Sequence, residues 1–217
     1  MPWTGSGWRR FVPQPTVQAR PRIARLVKSL PPGARWVDLG AGGRRLARGV
    51  IRVDRDFGQP AEVLSDAHRL PFRAGSLDAV VATGLLEHVR DPEEVLREIR
   101  RGLREEGTVY IEVPFLQGYH ADPDDYWRFT ESGVRLLLEN GGFAVEGSGA
   151  HMGPASALCW ILSDLAGSAF GRPGLLAGRL LVWPLKFLDY ALMALPGASR
   201  VASGVWAIGR KPAPEVR

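Results

Sequence analysis

Cysteine is nearly absent: Cys159 is the only one in 217 residues. An internal disulfide and a cysteine-rich metal site are thereby excluded, and a reducing compartment fits. Cys159 sits in the apolar run Ala157, Leu158, Trp160, Ile161, so it reads as an inert core thiol. Lysine is scarce too, supplying three of the 28 basic residues (Lys28, Lys186, Lys211). The net charge of +5 would suit an anionic partner, but the basic residues are dispersed and form no aromatic-interleaved block. Nucleic acid is therefore not favoured as a partner. No repeat, no low-complexity segment and no uninterrupted apolar run of about 20 residues, the length that spans a bilayer, is present. The opening MPWTGSGWRRF has no signal-peptide apolar core, and a cytoplasmic location is expected.

What is present is ordinary globular composition, 45% apolar and 24% charged, in a chain long enough for one elaborated domain. Residues 1–19, rich in Pro and Gly without apolar period, read as an irregular arm. From Pro21 the residues Ile23, Leu26, Val27 and Leu30 recur at helical spacing, and Pro31-Pro32-Gly33 stops the helix. Four short apolar runs then read as strands: 36–39, 50–54, 61–66 and 77–82. Their continuity suits parallel strands covered on both faces. A helix is expected from Asp91-Pro92-Glu93-Glu94, with Asp91 as cap and a stripe of Val95, Leu96, Ile99 and Leu103 ending at Gly107. A fifth strand covers 108–113. Thr130 caps a helix reaching Gly141, and a sixth strand starts at Phe143. The order reads βαβ throughout. Apolar helix then occupies about 154–200, an insertion before a last strand near 203–209.

The turn Gly40-Ala41-Gly42-Gly43 after the first strand is a strand-then-glycine turn that brings backbone close to a ligand. Asp38 precedes it. Asp54 ends the second strand 16 residues later, placed to accept two ribose hydroxyls. A sulfonium nucleoside, with an amino-acid end, a ribose diol and an adenine, needs such a set. A nicotinamide enzyme would need a third glycine where Arg45 stands, which argues against that rival.

VDLGAGG, the acid in IRVD, SDAHRLPF, LLEHV before DPEEVLREIRRGLREEGTVYIEVP, and the closing NGGF, in this order, resemble the small-molecule class I methyltransferases that use S-adenosyl-L-methionine. The resemblance covers about residues 34–147. It implies a Rossmann-like, doubly wound α/β fold, with a mostly parallel seven-stranded sheet, an antiparallel last strand and the helical insertion before it. By the same resemblance Asp38, Gly40 and Gly42 contact the methionine part and Asp54 the ribose. Asp66 with Ala67 meets the adenine, while Leu85 and Leu86 line the pocket. Two departures are Gly43-Arg44-Arg45 in place of a further small residue, and a short following helix. Glu87-His88 is read as fixing its loop.

In such a fold the loop after the fifth strand borders the reactive methyl group. Here it runs from Pro114 to Thr130. Methyl transfer from an activated donor gains from proximity and orientation and needs a base only if the acceptor must lose a proton. His120 is the expected base, held by Asp125, with Tyr126 and Arg128 orienting the acceptor. His120 with Asp122 and Asp125 is too thin a set for a metal, so none is expected. The wording H-x-x-P-x-D-Y-x-R-F-T resembles a subgroup often found beside polysaccharide-building enzymes.

The expected function is methylation, at oxygen, of a small-molecule or lipid- or sugar-linked acceptor. Within the insertion, Arg179, Lys186 and Asp189 fall on one narrow stripe and leave a wide apolar face. That face, through residues 155–195, is expected to meet the core as a lid, a second copy in a homodimer, or the membrane interface with Trp183 and Tyr190 as anchors. The inner membrane face is thus a second location open to the chain. The competing reading is a non-catalytic methyltransferase-like subunit that binds a membrane or glycosyltransferase partner through the insertion.

Overall fold

A computed structural model describes residues 21–56 and 58–214; the arm expected over 1–19 lies outside them. The helices are α1 (Pro21–Ser29), α2 (Pro92–Gly102), α3 (Glu131–Asn140), α4 (Pro154–Val182) and α5 (Asp189–Leu192). The strands are β1 (Trp36–Leu39), β2 (Ile51–Asp54), β3 (Val63–Leu64), β4 (Leu77–Thr83), β5 (Leu103–Pro114), β6 (Ala144–Met152) and β7 (Gly204–Arg210). They form one sheet in the order β3-β2-β1-β4-β5-β7-β6. β1 to β5 run parallel, and β7 lies antiparallel between β5 and β6. This is the mixed sheet of a Rossmann-like fold.

Alternation along the central strands explains the layering. Val80 and Ala82 of β4, with Val109 and Ile111 of β5, join the core under α2 (Val95, Leu96, Ile99) and α3 (Val134, Leu138). Their neighbours Ala79, Val81 and Tyr110 turn to the opposite face, against Ile23 and Leu26 of α1. A strand apolar at every position is what two covered faces require. The Asp91 and Thr130 caps form as expected, accepting from the amides of Glu94 (2.8 Å) and Gly133 (3.0 Å).

Several sequence expectations are corrected. α2 stops at Gly102, five residues before Gly107. Leu103 takes extended backbone (φ −71°, ψ 138°) and pairs with Leu77 of β4, so strand pairing overrides the helical period. The third strand shrinks to Val63–Leu64 at the sheet edge, where Ser65 and Asp66 already turn the chain. The described residues joining β1 to β2, β2 to β3 and β3 to β4 contain no helix, so the βαβ order does not hold in the first half.

The insertion between β6 and β7 is an inside-out element. α4 breaks at Gly171 (φ +67°), with Pro173 just beyond. A Cβ on Gly174 would lie 2.3 Å from the Ala166 carbonyl oxygen, so the two halves pack backbone to backbone. The polar stripe Arg179, Lys186 and Asp189 is buried, while Leu181 is 81% exposed and Tyr190 72%. Leu180, Trp183, Phe187 and Leu188 are exposed as well. Among the described residues no helix is long and apolar enough to cross a membrane. Asp189 explains the inward stripe: it accepts from Ala155 N (2.8 Å), Ser156 N (3.0 Å) and Ser156 Oγ (2.6 Å), capping the first turn of α4 from outside that helix.

Asp189→Ala leaves these donors buried without an acceptor and should cost about 2–4 kcal/mol, beyond an ordinary cap loss. The check is the urea midpoint at unchanged slope. Leu181→Ser should stay within about 0.5 kcal/mol of wild type. Equal midpoints for the two variants would refute the capping role.

Candidate active site

The carboxyl ends of β1, β2 and β4 open into a cleft of about 1020 Å³, the size range of a cofactor site. Gly40 and Gly42 form its floor with positive φ, +69° and +54°. A Cβ on Gly40 would come within 2.9 Å of Leu85 Cδ1, whereas at Gly42 nothing lies within 4 Å. The turn is fixed from below by Asp54, whose Oδ2 accepts from Gly42 N (2.7 Å) and whose Oδ1 accepts from Asp56 N (3.0 Å). A carboxylate oxygen has two acceptor positions, so capacity remains on both for a diol. Asp38 is fully buried behind the turn. Arg44 bonds its Oδ1 (3.0 Å) and the Gly40 carbonyl (3.1 Å).

At one end of the cleft Asp66 and Ala67 lie with His68. Asp66 Oδ1 accepts from His68 N (2.9 Å) and lies 2.6 Å from His68 Nδ1. The His68 amide, then the His68 ring, hold its carboxyl below the usual carboxylate range. Leu85 lines the cleft; Leu86 does not, being fully buried in the core. The sequence reading of Leu86 as a pocket residue is corrected accordingly. It lies in the helical turn Leu86–His88, which directs it inward.

At the other end stands a polar cluster. Glu87 is 2% exposed. Its carbonyl accepts from Tyr126 N (2.7 Å) and Trp127 N (3.3 Å), and its Oε1 lies 3.9 Å from His88 Nε2 and 3.8 Å from His120 Nε2. The two imidazoles meet edge to face at 5.4 Å, and Trp160 of α4 stacks on His120 at 6.3 Å. Burial, the largest influence, pushes the His120 pKa down. Glu87, the Gly118 carbonyl and Asp125 outweigh it, and the net shift is upward.

Asp125 bonds the His120 amide (2.8 Å) and takes both ends of the Arg128 guanidinium, at 2.6 and 2.7 Å. Burial pushes its pKa up most strongly, but this fork and the amide hold it below the carboxylate range. Arg128 also bonds the carbonyls of Gln117 and Gly118. It faces into its loop as a clamp and does not line the cleft, contrary to the acceptor-orienting role expected of it. Tyr126 does line the cleft and accepts from Arg90 Nε (3.1 Å).

Residues 37–111 match the family model of the methyltransferase domain. Over that stretch, about a third of the chain, the protein matches a methyltransferase domain, and its fold is that of the class I enzymes that use S-adenosylmethionine. A stretch of 92 residues is 29% identical to an uncharacterized 37.1 kDa protein in a transposon of Streptomyces fradiae, covering 42% of this chain and 26% of that protein. The match thus spans about a quarter of that relative. A Haemonchus contortus phosphoethanolamine N-methyltransferase in complex with S-adenosyl-L-methionine shares the fold at a TM-score of 0.57 and 17% identity, over 89% of this chain and 52% of the other. An S-adenosylmethionine-dependent methyltransferase from Mesorhizobium loti does so at 0.55 and 16%, over 88% and 98%.

The donor set suits this cofactor: a glycine turn open at Gly42, acceptors on Asp54 and Asp66, and apolar Leu85, Ala67 and Val89 along the cleft. Sequence reasoning missed three contributors. Arg44 appeared as a departure from pattern but is a cationic wall of the cleft; His68 and Arg90 carried no periodic signal. Glu87-His88 was read chiefly as a loop fixture, with catalysis the lesser alternative.

Asp54→Ala removes a diol acceptor and the Gly42 anchor together. The expected loss is about 1.5–3 kcal/mol, or roughly 10- to 100-fold in affinity for S-adenosylmethionine by calorimetric titration. An unchanged affinity would return Asp54 to a purely structural role.

Proposed function

We propose that the protein methylates an oxygen atom of a small-molecule or lipid- or sugar-linked acceptor held beside the loop 115–129 and roofed by α4. The observation that carries this reading is the buried Glu87 with two imidazoles beside the cofactor cleft, which His88 lines while Glu87 and His120 lie behind it. A hydroxyl must be relieved of its proton as it attacks, and such a cluster can take part in that step. S-adenosylmethionine supplies an activated methyl group. Asp54 and Asp66 bind its nucleoside, and the Gly40–Gly42 turn lets backbone approach its amino-acid end. Glu87, His88 and His120 together promote loss of the proton from the acceptor hydroxyl. Asp125 and Arg128 keep His120 in place, Tyr126 and Arg90 frame the entrance, and Trp160 excludes water from the imidazole.

The outward apolar face of the insertion supports a lipid-linked acceptor over a freely soluble one. α4 carries both Trp160, at the site, and Leu165 and Leu181, 64% and 81% exposed. Apolar residues exposed together on a polar-rimmed protein mark a contact surface. A hydrocarbon chain laid on that face would leave its head group near His120.

The experiment uses S-adenosylmethionine labelled at the methyl carbon with three acceptor sets: lipid-linked sugars, free sugars and amines. Label on a hydroxyl of the lipid-linked set, reduced at least 100-fold in Glu87→Gln with cofactor affinity retained, is expected. Label on amines alone overturns the oxygen assignment. Cofactor binding without transfer to any set would favour a non-catalytic subunit. In flotation with anionic vesicles the wild-type chain should rise, and Leu181→Ser/Trp183→Ser should remain at the bottom.

A further inference from the structure

The acid–imidazole cluster has the wrong spacing for hydrogen bonds and the right one for an ion. Glu87 Oε1 is 3.9 Å from His88 Nε2 and 3.8 Å from His120 Nε2, beyond any hydrogen bond. Ligand atoms held at about 2.1 Å from one tetrahedral ion stand roughly 3.4 Å apart. One ligand atom from each of Glu87, His88 and His120 lies within 4.8 Å of the other two. Side-chain rotation that closes the Glu87 pairs by about half an ångström, and the two imidazoles by up to about 1.4 Å, brings all three around one cation.

Two independent features point the same way. First, each histidine is aimed by its other nitrogen: His88 Nδ1 lies 2.6 Å from the Asp124 carbonyl oxygen, and His120 Nδ1 lies 2.8 Å from that of Gly118. A carbonyl accepts only from a protonated nitrogen, so Nδ1 carries the hydrogen and Nε2, in the neutral ring, presents its lone pair toward Glu87. A carbonyl on the far ring nitrogen is the partner that fixes the tautomer and orientation of a metal-bound imidazole. Second, Glu87 is 2% exposed and its Oε2 has no hydrogen-bond partner among the described residues. A carboxylate oxygen withheld from both water and donors is costly unless a cation satisfies it.

Arg128 does not fill that role. Its Nη2 approaches His120 from the Nδ1 side, at 3.4 Å, and both its terminal nitrogens are taken by Asp125.

We propose that Glu87, His88 and His120 bind a divalent transition-metal cation through the carboxylate and the two Nε2 atoms, and that this ion holds the acceptor hydroxyl. The first half stands on the geometry; the second rests on the oxygen-methylation reading above. Two imidazoles and one carboxylate select the Mn²⁺ to Zn²⁺ series over Mg²⁺, which prefers all-oxygen shells. Three protein ligands leave at least one position open, and His88 lines the cleft that leads to it. A hydroxyl bound there loses its proton more readily. The balance is complete without a redox partner: the proton leaves to solvent, the oxygen forms the bond to the methyl carbon, and the donor's carbon–sulfur bond breaks to leave a neutral thioether. His120 then acts by holding the ion and not by carrying the proton.

The test begins with chelator-stripped full-length protein and no acceptor. Titration calorimetry and Mn²⁺ electron paramagnetic resonance should show one ion per chain at micromolar affinity for Mn²⁺ or Zn²⁺, and at least tenfold weaker binding of Mg²⁺. His88→Ala and His120→Ala should each weaken Mn²⁺ at least tenfold. Glu87→Gln, which keeps shape and removes charge, should do the same. All three variants must keep the wild-type far-UV circular dichroism spectrum and cooperative thermal unfolding, which separates loss of the ion from loss of the fold. No stoichiometric binding, or Mg²⁺ bound as tightly as Mn²⁺, overturns the site. Hydroxyl methylation by the stripped protein at the rate of the Mn²⁺-loaded form overturns the second half alone and leaves the oxygen-methylation reading intact.

Discussion

Glu87 ties the site together from both ends of one residue. Its side chain is withdrawn from water against His88 and His120, while its backbone carbonyl receives the amides of Tyr126 and Trp127. The loop from Phe115 to Thr130 belongs to no regular element; those two bonds, with Trp127 Nε1 on the Val89 carbonyl and His88 Nδ1 on the Asp124 carbonyl, hold it to the turn after β4, while the Asp125–Arg128 fork ties it internally. Burying a carboxylate at that junction costs solvation that the loop bonds and the imidazoles must offset. The chemistry of the side chain and the docking of the acceptor-side loop are therefore one structural event.

Much of the cofactor half was legible because its signals are local. A buried strand that ends in glycines, an acid at the end of the next strand, and an Asp-Pro-Glu-Glu helix start each depend on neighbours in sequence. The mostly parallel sheet with an antiparallel last strand came from the family resemblance, and the order of its strands from the structure alone. Leu103 was misread because its apolar spacing suits a helix stripe as well as a strand, and only Leu77 across the sheet decides between them. Among the described residues the first three crossovers hold no helix, which the sequence foreshadowed only in the first, by the short spacing from Asp38 to Asp54.

The acceptor half was legible as a collection of residues and not as an arrangement. His120, Asp125, Tyr126 and Arg128 were singled out together, yet sequence could not say that Arg128 faces its own loop or that the partners of His120 include Glu87, 33 positions earlier. The insertion shows the same limit. The stripe of Arg179, Lys186 and Asp189 was visible, but its direction was not, because periodicity defines a face and not which side of it meets the protein. The capping of α4 by Asp189 settles that direction inward.

The placement of β7 carries a consequence for synthesis. β6 stands at the sheet edge with β7 as its neighbour, and the chain reaches Met152 long before it reaches Gly204. Between those points the ribosome releases the insertion, with its outward apolar surface. For that interval an unfilled strand edge and an apolar helical hairpin are presented together, the two features that most invite association with other chains. The last strand closes the sheet edge and ends that half of the exposure, whereas the apolar face of the insertion stays open in the folded chain.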